Sequence, residues 1–192
     1  MGRSPTALTR DKWADAALDA LAAAGPQAVA VEPLARALGV TKGSFYHHFS
    51  SREELLEAAL ERWESLGTEG VLEQVARLPP VERLEALFGA ASEGTIDPMW
   101  AVLVQLSAHR HDPRIGPVLE RVTRRRLAFL TRTWASAGLD PAEAERRAWL
   151  AYSAYLGMVQ LAVSAPEVVP RGDALRGYVR RVLELLVPQS QP

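Results

Sequence analysis

The amino-acid sequence predicts an all-α protein with an N-terminal three-helix domain of the helix-turn-helix type and a C-terminal helical body. Apolar residues recur at the three- to four-residue spacing of helices, and no stretch alternates as a β-strand would. With 192 residues, of which 48% are hydrophobic, the chain can bury a core. Three acidic residues each stand before a proline that suits the first position of a helix. These pairs are Asp97-Pro98, Asp112-Pro113 and Asp140-Pro141.

The first two helices are bounded by recognisable end signals. The first is expected to follow the capping residue Thr9 and to run to Ala24, before Gly25-Pro26. The second has Pro33 in its first turn and ends at Gly39, which can take the positive φ that closes a helix. A third helix follows almost at once, and this close succession is typical of a helix-turn-helix.

The stretch from Val40 to Arg52, VTKGSFYHHFSSR, concentrates aromatic residues, histidines and cations more than any other part of the chain. Phe45 and Phe49 are four residues apart and should anchor the third helix to the core. The opposite face is left for water or for a nucleic acid, and it carries Lys42, Ser44, Tyr46, His47 and His48.

A capping box then opens the fourth helix. Ser51 and Glu54 have the spacing in which each side chain caps a backbone N–H of the same turn. The apolar stripe of this helix should join the N-terminal domain to the body, and it consists of Leu55, Leu56, Ala59, Leu60 and Trp63.

From Thr9 to about Trp63 the sequence resembles the tetracycline-repressor-like (TetR) family of bacterial transcription regulators. The resemblance rests on the Gly-Val turn, the FYHHF segment and the capped helix that follows. The resemblance implies that Tyr46, His48 and Arg52 bind DNA phosphates. It also implies that residues nearer the groove contact bases. The alternative is an ordinary solvated helix face. The predicted DNA-binding residues are Thr41, Lys42, Gly43, Ser44, Tyr46, His47, His48 and Arg52.

The start of the second helix departs from the family pattern. Members often have polar or basic residues there, whereas Ala30, Val31 and Glu32 offer little to DNA. The charge balance nevertheless has the expected sign. Six basic and four acidic residues occur up to Arg52, against 16 and 19 in the rest of the chain.

The body is expected to be a further series of helices. After the fourth helix, one helix should span Glu69 to Arg77 and another should start at Pro79-Pro80 and run to about Ser92. Three more should start at the Asp-Pro pairs, and the last should run from Asp173 to Val187. We therefore expect residues 1–50 to form the DNA-binding domain and residues 51–192 to form a ligand-binding and dimerisation domain.

A different class of function, a metal-assisted α-helical enzyme, would have to use His109, His111 and Asp112. The simpler interpretation is that these histidines lie near the carbonyls at a helix end. The chain has no cysteine, which excludes disulfides and thiolate ligands. We predict no metal, no cofactor and no enzymatic activity. The N-terminus lacks the apolar run of a signal peptide, so we expect a cytoplasmic protein.

Arginines cluster after Glu120, and most of them share one helix side, which is usually a solvated face. Arg126 lies off that stripe and could face inward, where it would favour a carboxylate or phenolate over a cationic ligand. TetR-like bodies keep an inducer pocket, and aromatic residues recur in this body. We predict a small apolar or aromatic ligand, with a DNA-binding protein without any ligand as the alternative. The expected lining is Trp100, Leu103, Val104, Arg126, Phe129 and Tyr152.

The stretch from Ala148 to Pro166 has no charged residue. Its length falls at or below the ~20 apolar residues of a membrane span, so we expect no membrane association. A helix that is apolar all round is more naturally buried on two sides, here by its own subunit and by a second copy. The predicted dimer contacts are Ala154, Gly157, Met158, Leu161, Val179, Val182, Leu183 and Leu186.

Together these features predict a DNA-binding transcription regulator whose partners are a double-stranded DNA operator, a second copy of the chain and an unidentified small-molecule inducer. Pairing two helix-turn-helix domains across a two-fold axis requires a pseudo-palindromic operator. The resemblance further implies repression that the inducer relieves.

Overall fold

The computed structural model describes residues 8–89 and 98–186, and within them it contains ten α-helices and no strand. The predicted all-α fold is therefore confirmed. A short 3-10 turn, Pro26–Ala28, follows the first helix, and a π-helical segment, Ser65–Gly70, follows the fourth; we call the latter the π turn. The α-helices are α1 Arg10–Ala24, α2 Val31–Ala37, α3 Lys42–Tyr46, α4 Arg52–Glu64, α5 Val71–Val75, α6 Pro80–Gly89, α7 Pro98–Ser107, α8 Ile115–Ser136, α9 Pro141–Ser164 and α10 Gly172–Leu186.

The expected end signals act in the first two helices. The Thr9 hydroxyl accepts a hydrogen bond from the Lys12 backbone N–H at 3.3 Å and so caps α1. Gly25 ends α1 at φ +78°, and Gly39 follows α2 at φ +68°, where other residues are strained. The N–H of Val40 then bonds the carbonyl of Ala35 at 2.9 Å, which closes the turn between α2 and α3.

Aromatic side chains fasten α3 and its flank to α1. Phe45 is fully buried, meets the Trp13 ring edge-on at 5.4 Å between centroids, and stacks on Phe49 at 5.6 Å. This packing confirms that the two phenylalanines are core residues. Their burial leaves the other side of the short helix facing outward.

The capping box at the start of α4 forms with one shift. Ser51 Oγ accepts from the Glu54 N–H at 3.1 Å, and the Glu54 carboxylate accepts from the Ser50 N–H at 2.7 Å, one residue before the cap. The hydrogen bond from the Ser50 backbone is the largest cause that holds the pKa of the Glu54 carboxyl below its ordinary value. These hydrogen bonds fix the start of α4 next to α3.

The far end of α4 differs from the sequence prediction. The chain stays helical from α4 through the π turn into α5, which begins at Val71 rather than Glu69. Thr68 is only 1% exposed and its hydroxyl accepts from Arg126. A π-helical turn accommodates an extra residue, and here it turns polar groups of the backbone and of Thr68 towards α8.

Arginines of α8 and of the residue before it bind acidic residues of α4 and the π turn. Arg114 lies 3.3 Å from Glu57, Arg121 forms a two-point contact with Glu64 at 2.8 and 2.5 Å, and Arg125 lies 3.0 Å from Glu69. We call these three pairs the Arg–Glu ladder. Arg121 and Arg125 remain exposed, by 54% and 49%, as expected for a solvated face, and they pair with α4 and the π turn along its edge.

Two clusters of buried residues form the core. One runs through α1, α3 and α4 into α7 and α8, so the N-terminal domain and the body share apolar contacts. The other joins α6, α8, α9 and α10. The expected ends at Ser92 and Val187, and the capping residue Asp97, lie outside the described residues. Among the described helices, none is long and apolar enough to cross a membrane.

The other two Asp-Pro pairs differ in their effect. The Asp140 carboxylate accepts from the N–H groups of Ala142 and Glu143, both at 3.1 Å, and caps α9 as predicted. The Asp112 carboxylate instead accepts from the Arg114 N–H at 2.8 Å, and α8 begins only at Ile115. Asp112 therefore shapes the turn before the helix rather than its first residue.

The ladder predicts a pH-dependent loss of stability. The hydrogen bond from Arg121 lowers the pKa of Glu64, whose side chain is 12% exposed. Its stabilisation is therefore present at neutral pH and is lost as the pH falls through the lowered pKa. Glu64→Gln should reduce the free energy of unfolding at pH 7 by roughly 1–3 kcal/mol and by much less below the carboxyl range. Urea unfolding at both pH values and one protein concentration measures this.

Glu120→Gln is the matched control, because Glu120 pairs with Arg124 on the same helix but both side chains are mostly exposed. We expect a change below about 0.5 kcal/mol for that variant. An equal loss for Glu64→Gln at both pH values would contradict the role given to its charge.

Candidate DNA-contact surface and ligand cavity

The outward face of α3 carries most of the predicted DNA-binding side chains. Tyr46 is 58% exposed, and Ser44 and His48 are half-buried beside the phenylalanine anchors. The remaining members of this surface are exposed, and they are Thr41, Lys42, Gly43 and His47. The surface is small, polar and held on a rigid core, as a groove-contacting helix requires. Its contacts with DNA remain a prediction.

Lys42 is not free on this surface. Its ammonium group donates to the Glu32 carboxylate at 2.8 Å, from α3 back to the start of α2. This hydrogen bond lowers the pKa of Glu32 and raises that of Lys42. Glu32 is therefore more than the idle position that the sequence suggested, because it positions the cation and places a negative charge beside it.

Arg52 has a different surrounding from the one predicted. Its Nε donates to the carbonyl of Val29 at 2.7 Å and its Nη2 to the carbonyl of Pro26 at 2.5 Å. Nη1 lies 3.7 Å from the Glu53 carboxylate. The guanidinium ties the segment between α1 and α2 to α4, and the side chain is 33% exposed. Its contact with a DNA phosphate stays a prediction.

The body contains a cavity of about 130 Å³. Three predicted residues line it, namely Trp100, Arg126 and Tyr152. It also receives side chains from elements that sequence reasoning did not connect with a ligand. The additional lining residues are Gly67, Val71, Leu72, Leu87, Met99, Leu130, Ala151 and Tyr155.

Three predicted lining residues lie elsewhere, because helix rotation directs them away from the cavity. Leu103 is buried in the core shared with the N-terminal domain and borders a separate open groove. Phe129 lies against the Arg83 guanidinium, whose Cζ is 5.6 Å from the centroid of the Phe129 ring. Val104 is half-buried on α7 and is not part of the cavity wall.

The missed residues had no local signal. The π turn and α5 contribute Gly67, Val71 and Leu72, which look in sequence like a helix break and ordinary apolar positions. The Trp100 ring meets Tyr155 edge-on at 5.8 Å, and Tyr152 stacks on Tyr155 at 6.0 Å. One side of the cavity is thus an aromatic wall, which is typical of sites for small apolar molecules.

Arg126 connects the cavity with the end of α4. Its Nε donates to the Thr68 hydroxyl at 3.1 Å, its Nη2 donates to the Gly67 carbonyl at 2.9 Å, and its Cζ lies 5.7 Å from the Trp63 ring centroid. Arg126 therefore faces inward, unlike the arginines of the Arg–Glu ladder.

The predicted dimer contacts divide into two groups. Ala154 and Val182 are half-buried, while Gly157 and Leu161 are exposed, Leu161 by 50%. The other four are buried in the protomer's own second core cluster, and these are Met158, Val179, Leu183 and Leu186. Exposed apolar side chains continue the outward face of α9 and α10, namely Leu150, Tyr178 and Leu185.

The histidine cluster considered as a metal site is occupied by local contacts. A ring nitrogen of His109 lies 3.0 Å from the Gln105 carbonyl, and the Asp112 carboxylate bonds the Arg114 backbone. In the part of the chain that the structure describes, no three His, Asp or Glu side chains are grouped to hold a metal ion. The geometry gives the metal-enzyme alternative no support.

Comparison with known proteins agrees with this geometry. Residues 14–59 match the family model described as bacterial regulatory proteins, tetR family. The transcriptional regulator CymR of Pseudomonas putida is 27% identical over 156 residues, which are 78% of this chain and 77% of CymR. The transcriptional repressor KstR2 of Mycobacterium tuberculosis is 35% identical over 72 residues, 36% of this chain and 35% of KstR2.

Solved structures share the whole fold. A transcriptional regulator from Saccharomonospora viridis, solved in complex with choline, superposes with a TM-score of 0.72 at 20% identity, over 91% of this chain and 95% of that chain. These relatives are all named as transcriptional regulators or repressors. Residues 14–59 therefore form a helix-turn-helix of the tetracycline-repressor (TetR) family, and the chain as a whole is similar to transcriptional regulators with the same all-α fold.

Proposed function

We propose that the protein is a homodimeric repressor that binds a pseudo-palindromic operator through α3 and leaves it when a small apolar, ring-containing ligand enters the cavity. The observation that carries this proposal is the placement of α4. One end of α4 follows α3 directly, and the other end continues into the π turn that lines the cavity. Support for repression comes from the name of the relative KstR2, a transcriptional repressor.

On DNA, the two kinds of contact would be divided over the α3 surface. Tyr46 and His48 would hold phosphates and so set the register, while Lys42, Ser44 and His47 would contact base edges. Because Lys42 already bonds Glu32, the operator must offer it an acceptor that competes with a carboxylate. Among base edges, guanine meets it best, because O6 and N7 place two acceptors side by side in the major groove.

A second copy would pack on the outward face of α9 and α10. Leu150, Gly157 and Leu161 lie at helical spacing along α9, and Tyr178 and Leu185 are seven residues apart on α10. Gly157 has nothing within 4 Å of where a Cβ would be, so it leaves open space on this face for a close helix crossing. Two helices from each subunit would then form a four-helix interface.

Ligand and DNA would be coupled through α4. Trp63 near its end is fully buried and donates from Nε1 to the Met99 carbonyl at 3.1 Å, and Met99 lines the cavity. With thirteen residues, α4 is roughly 20 Å long and passes a displacement from the cavity to α3. A coupling of about 1–3 kcal/mol suffices for a 5- to 150-fold loss of operator affinity.

The charge pair on the DNA-contact surface yields the first test of this proposal. Glu32→Gln should increase operator affinity by about 2- to 5-fold, because it removes a negative charge beside phosphates and releases Lys42. Fluorescence anisotropy on an operator selected from a random DNA pool measures it. Asp19→Asn, an exposed position on α1, changes the net charge equally and is the control. Equal gains for both variants would mean that only net charge matters.

Tyr46 and Arg52 should behave differently from one another. Tyr46→Phe should weaken specific and random duplexes alike by roughly 0.5–1.5 kcal/mol without changing stability, because it removes a phosphate contact from an exposed side chain. Arg52→Ala should lower the free energy of unfolding by roughly 1–3 kcal/mol, because two carbonyls lose their donor. Fluorescence anisotropy measures the affinity for DNA and thermal unfolding measures the stability of each variant. An unchanged stability of Arg52→Ala would contradict the anchoring role of its guanidinium.

Gly157 allows a direct test of the dimer. Gly157→Trp should overpack the crossing by about 1–3 kcal/mol for each copy, and the two copies together should weaken the dimer by at least about 30-fold. Gly157→Ala adds helix propensity without bulk and should remain dimeric. Sedimentation at micromolar concentration distinguishes the variants, with circular dichroism as the check on folding. A monomeric wild type, or a dimeric Gly157→Trp variant, would contradict this interface.

A further inference from the structure

Two polar side-chain groups in the cavity wall have no hydrogen-bond partner among the described residues. They are Nη1 of Arg126 and the hydroxyl of Tyr152, both inaccessible to solvent, and Tyr152 as a whole is 4% exposed. Buried donors are almost always paired, because an unmade hydrogen bond leaves the cost of desolvation uncompensated. Both residues line the same cavity, and Tyr152 also borders the open groove that Leu103 lines. Their donors therefore indicate an acceptor that belongs in it.

The charge of the cavity wall determines which kind of acceptor group the ligand should carry. Arg126 is the one charged residue in the described wall, and the other members are glycine, alanine, aliphatic, methionine and aromatic residues. A cationic ligand would meet an uncompensated like charge there. A carboxylate offers two oxygens to two donors and neutralises the guanidinium, whereas a phenolate has one oxygen.

The size of the cavity restricts the rest of the ligand. Its volume of about 130 Å³ is comparable with an engineered cavity of about 150 Å³ that binds benzene. The space therefore accommodates one ring. Trp100, Tyr152 and Tyr155 form the aromatic wall against which a flat ring packs by edge or face.

We propose that the cavity takes a single-ring aromatic carboxylate held by Arg126 Nη1 and the Tyr152 hydroxyl, and that Arg126 transmits its binding to α4 through the π turn. This inference rests on the proposed ligand-released repressor and deepens it. It assigns one residue to both ligand binding and coupling.

The coupling follows from the rigidity of a guanidinium. Its N–H groups lie in one plane, so a ligand that draws Nη1 towards itself also turns Nε and Nη2. Those two nitrogens bond Thr68 and Gly67 in the π turn, which is continuous with α4. A carboxylate therefore acts on α4, the helix that leads to α3. A neutral ring of the same size carries no charge to attract the Arg126 guanidinium.

The site is tested by calorimetry on the full-length protein with benzoate, benzamide and benzylamine, which share the ring and differ in charge. Benzoate should bind at least about tenfold more tightly than benzamide, and benzylamine should not bind. Tyr152→Phe should weaken benzoate by about 10- to 100-fold and benzamide by only a few-fold. Arg126→Gln should remove the preference for benzoate over benzamide while benzamide binding persists.

The coupling is tested with Thr68→Val, which keeps the shape of the buried side chain but removes the acceptor of Arg126 Nε. Benzoate should bind this variant within about threefold of wild type. The ratio of its affinities for free and operator-bound protein should fall towards one, whereas wild type should keep a ratio of about 5 to 150. Thr131→Val is the control, because the Thr131 hydroxyl donates to the Leu127 carbonyl of its own helix and the substitution should leave the ratio unchanged.

The outcomes separate this inference from the proposed function. Benzamide binding as tightly as benzoate, or an unaltered preference in Arg126→Gln, would overturn the carboxylate site and leave an operator-binding repressor intact. Benzoate binding with the expected preference but without release of the operator would overturn the ligand-released repressor and the Arg126 relay together. An unchanged ratio in Thr68→Val would overturn the relay alone.

Discussion

Contacts between α8 and the α4–π-turn segment set the position of the DNA-contact surface relative to the body. Arg114, Arg121 and Arg125 meet Glu57, Glu64 and Glu69 in the same order along the chain, so the two helices run side by side in the same direction. Surface ion pairs are individually weak. Here they flank the inward contact of Arg126 with the same segment, and together they keep the end of α4 in register with the cavity wall.

Two arginines of this protein illustrate why every donor has to be counted. Arg52 and Arg126 both donate to backbone carbonyls, and both would pass in sequence as cations available for an anionic partner. Nε and Nη2 of Arg52 bond carbonyls and its Nη1 lies near Glu53, so its contribution is to hold the loop before α2. Arg126 has a buried Nη1 without a partner among the described residues, and this single nitrogen makes it the candidate ligand contact.

The apolar stretch in α9 shows the limit of composition as a guide. A helix that is apolar all round was expected to be buried on two sides, and its two faces do differ: Met158 packs into the protomer and Leu161 is half exposed. The sequence could not say which residue belongs to which face, because both faces are apolar. For the same reason Leu103 and Phe129 were predicted to line the cavity, although the rotation of α7 and α8 directs them elsewhere.

Local sequence patterns were enough to predict the helical class, the Thr9 cap, the glycine ends of α1 and α2, the Phe45 and Phe49 anchors and the capping box of α4. Each of these depends on residues within a turn or two of one another, where propensity and capping act directly. The contacts of Arg52 and Arg126 became visible only in the folded chain, because Nε of Arg52 bonds a carbonyl 23 residues away and Nε of Arg126 bonds Thr68, 58 residues away. Contacts over such separations follow from how helices rotate and pack, and a pattern within one helix does not contain that information.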